Sequence, residues 1–354
     1  MNSSTLDSKE FEQYYSGTLS DYVTAIAWCP RNTTLAATSA AGEVVLWQDG
    51  SLVTLYTGND ESVNCVAFSQ DGQFLAVGGQ DGRVKIWREG ELIATLENSP
   101  AWVDKLAWSY TSNLLAFSLG RYVQIWNAET CEIVVTLNFD SSSVLSIDWR
   151  SDGKYLAISG YQGAKVWNCQ NWNDDPYTLH IPSASLAIAW SPDGNFLASG
   201  NMDQTITVVE AQQLTSGGDI EPWIMGGFPG KIRQLAWSET TNQKGAPLLA
   251  TSSVDGIVVW ERGDDSVGWE ASVLTNHVDV IRAIAFAPKS SLLASVAADG
   301  WLCLWKEAKE VSDILTGVSS GFSCLAWHPQ GELLATGGEE GELIVWYKVE
   351  TIKN

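Results

Sequence analysis

A unit of about forty residues recurs along the whole chain, and it constrains the fold more than any other feature. Its clearest copy runs from Ser62 to Trp87, SVNCVAFSQDGQFLAVGGQDGRVKIW. Val63 to Phe68 reads as a strand, Ser69-Gln70-Asp71-Gly72 as a turn and Phe74 to Gly78 as a second strand. Gln80-Asp81-Gly82 is a tight turn and Val84 to Trp87 a third strand. Asp favours the start of such turns, and Gly takes positive φ without steric cost.

An apolar-Ala-aromatic signature closes the first strand of each copy: Ile26-Ala27-Trp28, Val66-Ala67-Phe68, Leu106-Ala107-Trp108, Ile147-Asp148-Trp149, Ile188-Ala189-Trp190, Leu235-Ala236-Trp237, Ile284-Ala285-Phe286 and Leu325-Ala326-Trp327. By subtraction the spacings are 40, 40, 41, 41, 47, 49 and 41, so there are eight copies. A Leu-Ala pair marks every second strand, from Leu35-Ala36 to Leu334-Ala335. The third strand ends on Trp47, Trp87, Trp126, Trp167, Trp260, Trp305 and Trp346, and only the fifth copy departs, with Val209. These two aromatic slots account for thirteen of the eighteen Trp. Short apolar runs between copies, such as Leu52 to Tyr56 and Leu92 to Leu96, predict a fourth strand.

Four antiparallel strands per period, apolar on both faces, form sheets that are stable only when stacked around an axis. The expected fold is therefore all-β, a single eight-bladed β-propeller of four-stranded antiparallel blades spanning residues 10–350, with a flexible stretch at 1–9 and a tail at 351–354. The pattern resembles the Trp-Asp (WD) repeat propellers over about residues 20 to 347. The signature residues depart from that family: no third-strand Trp is followed by Asp, and the Gly-His pair is missing. The turn Asp persists as Asp81, Asp203, Asp255 and Asp299. In the seventh copy the resemblance implies a complete structural hydrogen-bond tetrad of His277, Ser295, Asp299 and Trp305, which fixes a blade and is not catalytic. It also implies that the aromatic-rich segment Phe11 to Thr18 supplies the outer strand of the last blade, leaving no open edge.

The formal charge of -22 argues against broad nucleic-acid binding, which requires phosphate neutralisation. It serves either solubility or attraction to a basic partner or cations. No apolar run reaches membrane-spanning length and Met1 to Glu10 lacks a signal-peptide pattern, so a cytoplasmic protein without membrane insertion is expected. The six Cys and three His show no metal-ligand spacing, and Cys65 and Cys324 share a small-residue slot with Ala25, Ala187 and Ala283. No nucleophile elbow, phosphate loop, zincin or dinucleotide motif is present, so neither a catalytic residue nor a cofactor is assigned. Strings such as Gly263-Asp264-Asp265 and Asn173-Asp174-Asp175 read as solvated turns.

The functional expectation is a non-catalytic scaffold for one or more proteins; the alternative is a binder of small molecules or metal ions, or an enzyme, using the central channel. In the family the turns entering the first strand and joining the second to the third form the face that often holds peptides. On that face, Arg233 and Arg282 occupy equivalent slots of adjacent copies, with Lys231 nearby. This basic island calls for a carboxylate ligand, an acidic side chain of a partner, or the chain's own Asp279. Tyr22 and Trp102 share a slot that is Ser62, Ser143 or Lys231 elsewhere; Tyr122 and Trp301 share one that is Glu43, Arg83 or Glu342. Aromatics in slots that are otherwise polar are candidates for a binding surface. Lys105 and Asp148 replace small residues in slots expected to face inward, either within one polar network or against channel water. Three insertions, Ala211 to Asp219, Ser238 to Pro247 and Glu261 to Gly268, are expected on the opposite face, as a partner site or as neutral loop growth.

Overall fold

The structure, a computed structural model, describes residues 10–98, 100–140, 142–215, 220–264 and 267–349. The expected segments 1–9 and 351–354 lie outside these residues. Eight four-stranded antiparallel sheets form the eight blades. Blades 1 to 7 cover residues 23–56, 63–97, 106–138, 146–180, 185–225, 234–275 and 281–315; blade 8 combines 322–348 with Phe11–Thr18. Every first strand packs beside the first strands of both neighbouring blades, blade 8 against blade 1 included, so the ring is closed. Among the described residues no helix is long and apolar enough to cross a membrane.

Blade 2 shows how the repeat builds a sheet. Phe68 pairs with Leu75, Leu75 with Trp87, and Trp87 with Leu92. The turns are those expected: Gly72 N–H donates to Ser69 O at 2.8 Å, and Gly72 and Gly82 hold φ of 66° and 70°. Side chains of adjacent blades interdigitate in shared apolar clusters, as where Phe74 and Ile86 meet Trp108 and Phe117. Burial at these seams, rather than within any one sheet, holds the ring together.

The first-strand Trp also stitches neighbouring blades together. The indole Nε1–H of Trp28, Trp108, Trp149, Trp237 and Trp327 donates to the backbone carbonyl of Ala326, Ala67, Ala107, Ala189 and Ala285 in the preceding blade, at 3.0 to 3.1 Å. Phe68 and Phe286 carry no N–H to donate. The indole of Trp190 is the exception: it is buried, and its Nε1 has no partner among the described residues. Its acceptor position is the one where Asp148 replaces Ala.

The last blade closes as expected. Phe11–Thr18 pairs with Glu342–Lys348, from Phe11 opposite Lys348 to Thr18 opposite Glu342. Phe11 is fully buried and meets the Trp327 ring edge-on at 5.5 Å. Tyr347 donates its hydroxyl proton to Glu12 at 2.9 Å.

Candidate functional site

The tetrad of blade 7 forms as the resemblance implied. Trp305 Nε1–H donates to Ser295 Oγ at 2.8 Å, Ser295 Oγ lies 2.8 Å from His277 Nε2, and His277 Nδ1 lies 2.9 Å from Asp299 Oδ2. A neutral imidazole satisfies this chain: Ser295 donates to Nε2, and Nδ1–H donates to the carboxylate. Asp299 also accepts the N–H groups of Val278 and Trp301, pinning the loop entering the blade. Blade 5, which lacks the Trp, builds a different network that the sequence reading missed. Ser199 Oγ lies 2.6 Å from Ser185 Oγ and 2.7 Å from Asn201 Oδ1, and Asn201 Nδ2 donates to Thr205 and Thr207 at 3.0 Å. In blade 2 the turn Asp81 is held instead by a buried ion pair with Lys85 at 2.6 Å.

These networks position the turns around the channel mouth. Five first strands carry a β-bulge at their start, leaving Thr24, Asn64, Leu186, Arg282 and Ser323 as the residues skipped in the pairing. A bulge re-aims the side chain of its extra residue. The rim is polar and uneven: Asn64 Nδ2 donates to Asp104 at 2.7 Å on one side, while Arg233 and Arg282 sit on the other.

A cavity of about 760 Å³ opens on this rim over blades 5 to 8 and reaches the loop entering blade 1. It gathers Tyr22, Lys231, Arg233 and Arg282, four residues from three separate parts of the sequence. Met202, Val254 and Val280 contribute apolar surface from the turns of blades 5 and 6 and from the loop entering blade 7, and all three side chains are exposed. The loops are tied down: Gly230 N–H donates to Ser253 Oγ at 3.0 Å, and Gln234 Nε2 donates to Arg282 O at 3.0 Å across the blade 6/7 seam. Arg282 pairs with Glu339 of blade 8 at 2.8 Å, whereas Asp279 accepts the N–H of Val280; the internal counter-ion is thus not Asp279. Arg233 and Lys231 are exposed and form no ion pair among the described residues. Burial raises the pKa of the half-buried Tyr22 phenol, Arg282 lowers it, and Cys324 and Glu339 raise it.

The other candidates lie outside this cavity. Trp102 and Tyr122, 53% and 42% exposed, both belong to blade 3, across the channel from blade 7. Trp301 is half-buried and packs on the apolar core shared by blades 6 and 7, so this aromatic does serve packing. Lys105 is exposed, and Asp148 contacts blade 5 instead of Lys105, so the two do not share a network. The six Cys are free thiols, and burial pushes Cys65 up to about 12 and Cys324 up to about 11. Among the described residues no three His, Cys, Asp or Glu side chains converge as a metal-ligand set.

On the opposite face the insertions do meet. Glu210 and Gln212, Lys244 to Ala246, and Arg262 to Asp264 line one cavity of about 550 Å³. Lys244 forms an ion pair with Asp264, and Asn242 Nδ2 donates to Arg262 O at 2.8 Å, so two of the insertions are bound to each other. Residues 216–219 and 265–266, including Asp265, lie outside the described residues.

The sequence profile of the family described as "WD domain, G-beta repeat" matches residues 10–48, 50–88, 177–209, 268–306 and 310–347, more than half of the chain. The chain is also similar to Protein CIA1 of Arabidopsis thaliana, 26% identical over 110 residues, covering 30% of this chain and 28% of that protein. A Protein SEC13 homolog of Drosophila melanogaster is 26% identical over 90 residues, 25% of each chain. Protein transport protein SEC13 homolog B of Arabidopsis thaliana is 28% identical over 120 residues, 31% of this chain and 36% of that protein. The matched stretches span between a quarter and just over a third of the length of these relatives.

Proposed function

Since this chain belongs to the WD-repeat family, we propose that it is a non-catalytic cytoplasmic scaffold that holds one or more partner proteins on the face bearing the channel mouth. The observation that carries this reading is the convergence of Tyr22, Lys231, Arg233 and Arg282 on one open cavity. Their slots are filled differently in sibling repeats, so the repeat architecture does not require these side chains. Exposed Trp102 and Tyr122 extend the surface across blade 3. Tyr, Trp and Arg are the residue types that dominate interface energetics. The ring holds their backbone in place, which lowers the ordering cost of binding.

The test is affinity capture from native cytosol at near-physiological salt, with wild type beside a Trp102→Ala/Tyr122→Ala/Arg233→Ala variant. All three side chains are exposed, so the variant keeps the ring intact. A stoichiometric protein captured by wild type and lost by the variant supports the reading. A partner retained by the variant moves the site to the insertions of blades 5 and 6. Capture of no protein by either sinks the scaffold.

A further inference from the structure

We propose that the cavity over blades 5 to 8 takes an acidic peptide segment with one apolar side chain, a statement that rests on the channel-mouth face being the protein-binding face. The cavity is lined by three cations, Lys231, Arg233 and Arg282, and by no carboxylate. That selection stands out in a chain with 42 acidic and 20 basic residues. Two of the cations, Lys231 and Arg233, have no ion pair among the described residues. The third is held in place by Glu339, which leaves its remaining guanidinium donors for a second carboxylate. Arg233 and Arg282 stand at equivalent positions of adjacent blades, and the Gln234 to Arg282 hydrogen bond ties those two strands together. Two forks held at the separation of neighbouring blades suit carboxylates placed on successive parts of an extended segment.

The rest of the lining is apolar in the right place. Met202, Val254 and Val280 expose their side chains at the cavity, and the ring of Tyr22 closes one side. An anion recognised by charge alone has no use for this surface, whereas a Leu, Met or Phe beside an Asp or Glu buries against it. The volume of about 760 Å³ lies within the range of small-ligand pockets, so it accepts a few side chains and not a folded domain. Nucleic acid is disfavoured because its phosphates meet the field of a -22 body around so small a basic island.

The experiment uses the full chain and an array of fluorescein-labelled dodecapeptides read by anisotropy at 0.15 M salt. The array varies Asp/Glu number around one Leu, Met or Phe. It includes the same peptides with the apolar residue changed to Ser, and counterparts with Lys/Arg in place of the acids. Citrate serves as a competitor without an apolar group. The expected result is saturable binding of acidic-apolar peptides, weakened at least tenfold by Arg233→Glu/Lys231→Glu and several-fold by Met202→Ser/Val254→Ser. Thermal unfolding checks that each variant stays folded. Equal binding of the basic peptides, or binding indifferent to both variants, overturns the proposal. So does citrate displacing the peptide while the Ser versions bind equally well, since that outcome describes a small-anion site. Should no acidic peptide bind while the captured protein is still lost in the Trp102/Tyr122/Arg233 variant, the ligand chemistry falls and the scaffold stands.

Discussion

A carboxylate oxygen of Asp148 in blade 4 accepts the backbone N–H of Trp190 in blade 5 at 2.7 Å. Five other seams are joined by an indole N–H donating to an Ala carbonyl. Here a side chain reaches the backbone instead, and the Trp190 indole is left without an acceptor. Arg150 lies over that indole with its guanidinium 5.8 Å from the ring centre, and its own Nε has no partner among the described residues. This seam combines a carboxylate with an unbonded indole, which makes it chemically unlike the others.

The seam carries a pH dependence. Residue Asp148 is half-buried at the channel wall, but its carboxyl turns toward blade 5, where burial raises its pKa to about 7 against the opposing pull of the Trp190 and Trp149 N–H groups. The raised folded-state value means that the folded chain holds a proton the unfolded chain releases between about pH 4 and 7. The stabilising contribution is full at the acid end of that window and is lost as pH rises through 7. The stability of wild type minus that of Asp148→Asn should therefore fall between pH 4 and 7 and flatten above. Urea midpoints at a series of pH values measure this; a flat difference rejects it.

Conservative Trp→Phe changes separate bonded from unbonded indoles. Trp28→Phe and Trp327→Phe each break one inter-blade hydrogen bond and should cost about 1 kcal/mol beyond the lost ring area. Trp190→Phe breaks none and removes a buried unpartnered N–H. It should be less damaging by roughly 1 kcal/mol or more. Chemical denaturation of the three variants gives the ranking, and equal losses at all three sites refute it.

Ser295 is the hub of the blade 7 tetrad. Ser295→Ala leaves both His277 Nε2 and Trp305 Nε1 without their partner in a buried setting. The expected loss is about 2 to 4 kcal/mol, with the denaturation midpoint falling at constant slope. Ser295→Thr keeps the hydroxyl and should recover part of it.

Deleting residues 1–18 removes the strand that closes blade 8 and uncovers the edge of Glu342–Lys348. An unpaired edge recruits other chains. The shortened protein should elute as dimers or larger species in size-exclusion chromatography, and a synthetic peptide of residues 10–18 should shift it back toward monomer. A monomer with an unchanged thermal midpoint refutes this.

Much of the fold was legible because the repeat reports its own period. The apolar-Ala-aromatic and Leu-Ala signatures gave away the number of blades and the strand order, and the family resemblance implied the closing role of Phe11–Thr18. The tetrad was legible through the family resemblance, from residues that match its pattern. The site was legible in part: Tyr22, Lys231, Arg233 and Arg282 could be placed on one face by slot. Their convergence on one cavity could not, because Tyr22 and Arg282 meet only through ring closure. The Arg282–Glu339 pair escaped because it joins consecutive blades 57 residues apart in sequence while Asp279 lies close by. The β-bulge that exposes Arg282 is a backbone event with no residue signature. Asp148 and Lys105 looked alike as polar intruders in small-residue slots, yet Asp148 meets the backbone of the next blade while Lys105 is left exposed.

Closure by Phe11–Thr18 also imposes an order of events during synthesis. Glu12 and Tyr347, which share a hydrogen bond across the last blade, are 335 residues apart. At about 5 to 20 residues per second, the first strand made waits on the order of 20 to 70 s for the strand it pairs with. Throughout that interval Phe11 has no Trp327 to bury against, and blades 1 to 7 accumulate as an open arc. A ribosome that stalls late in the message thus releases not a slightly shortened protein but a ring with a gap, whose two sticky ends belong to blades 7 and 1.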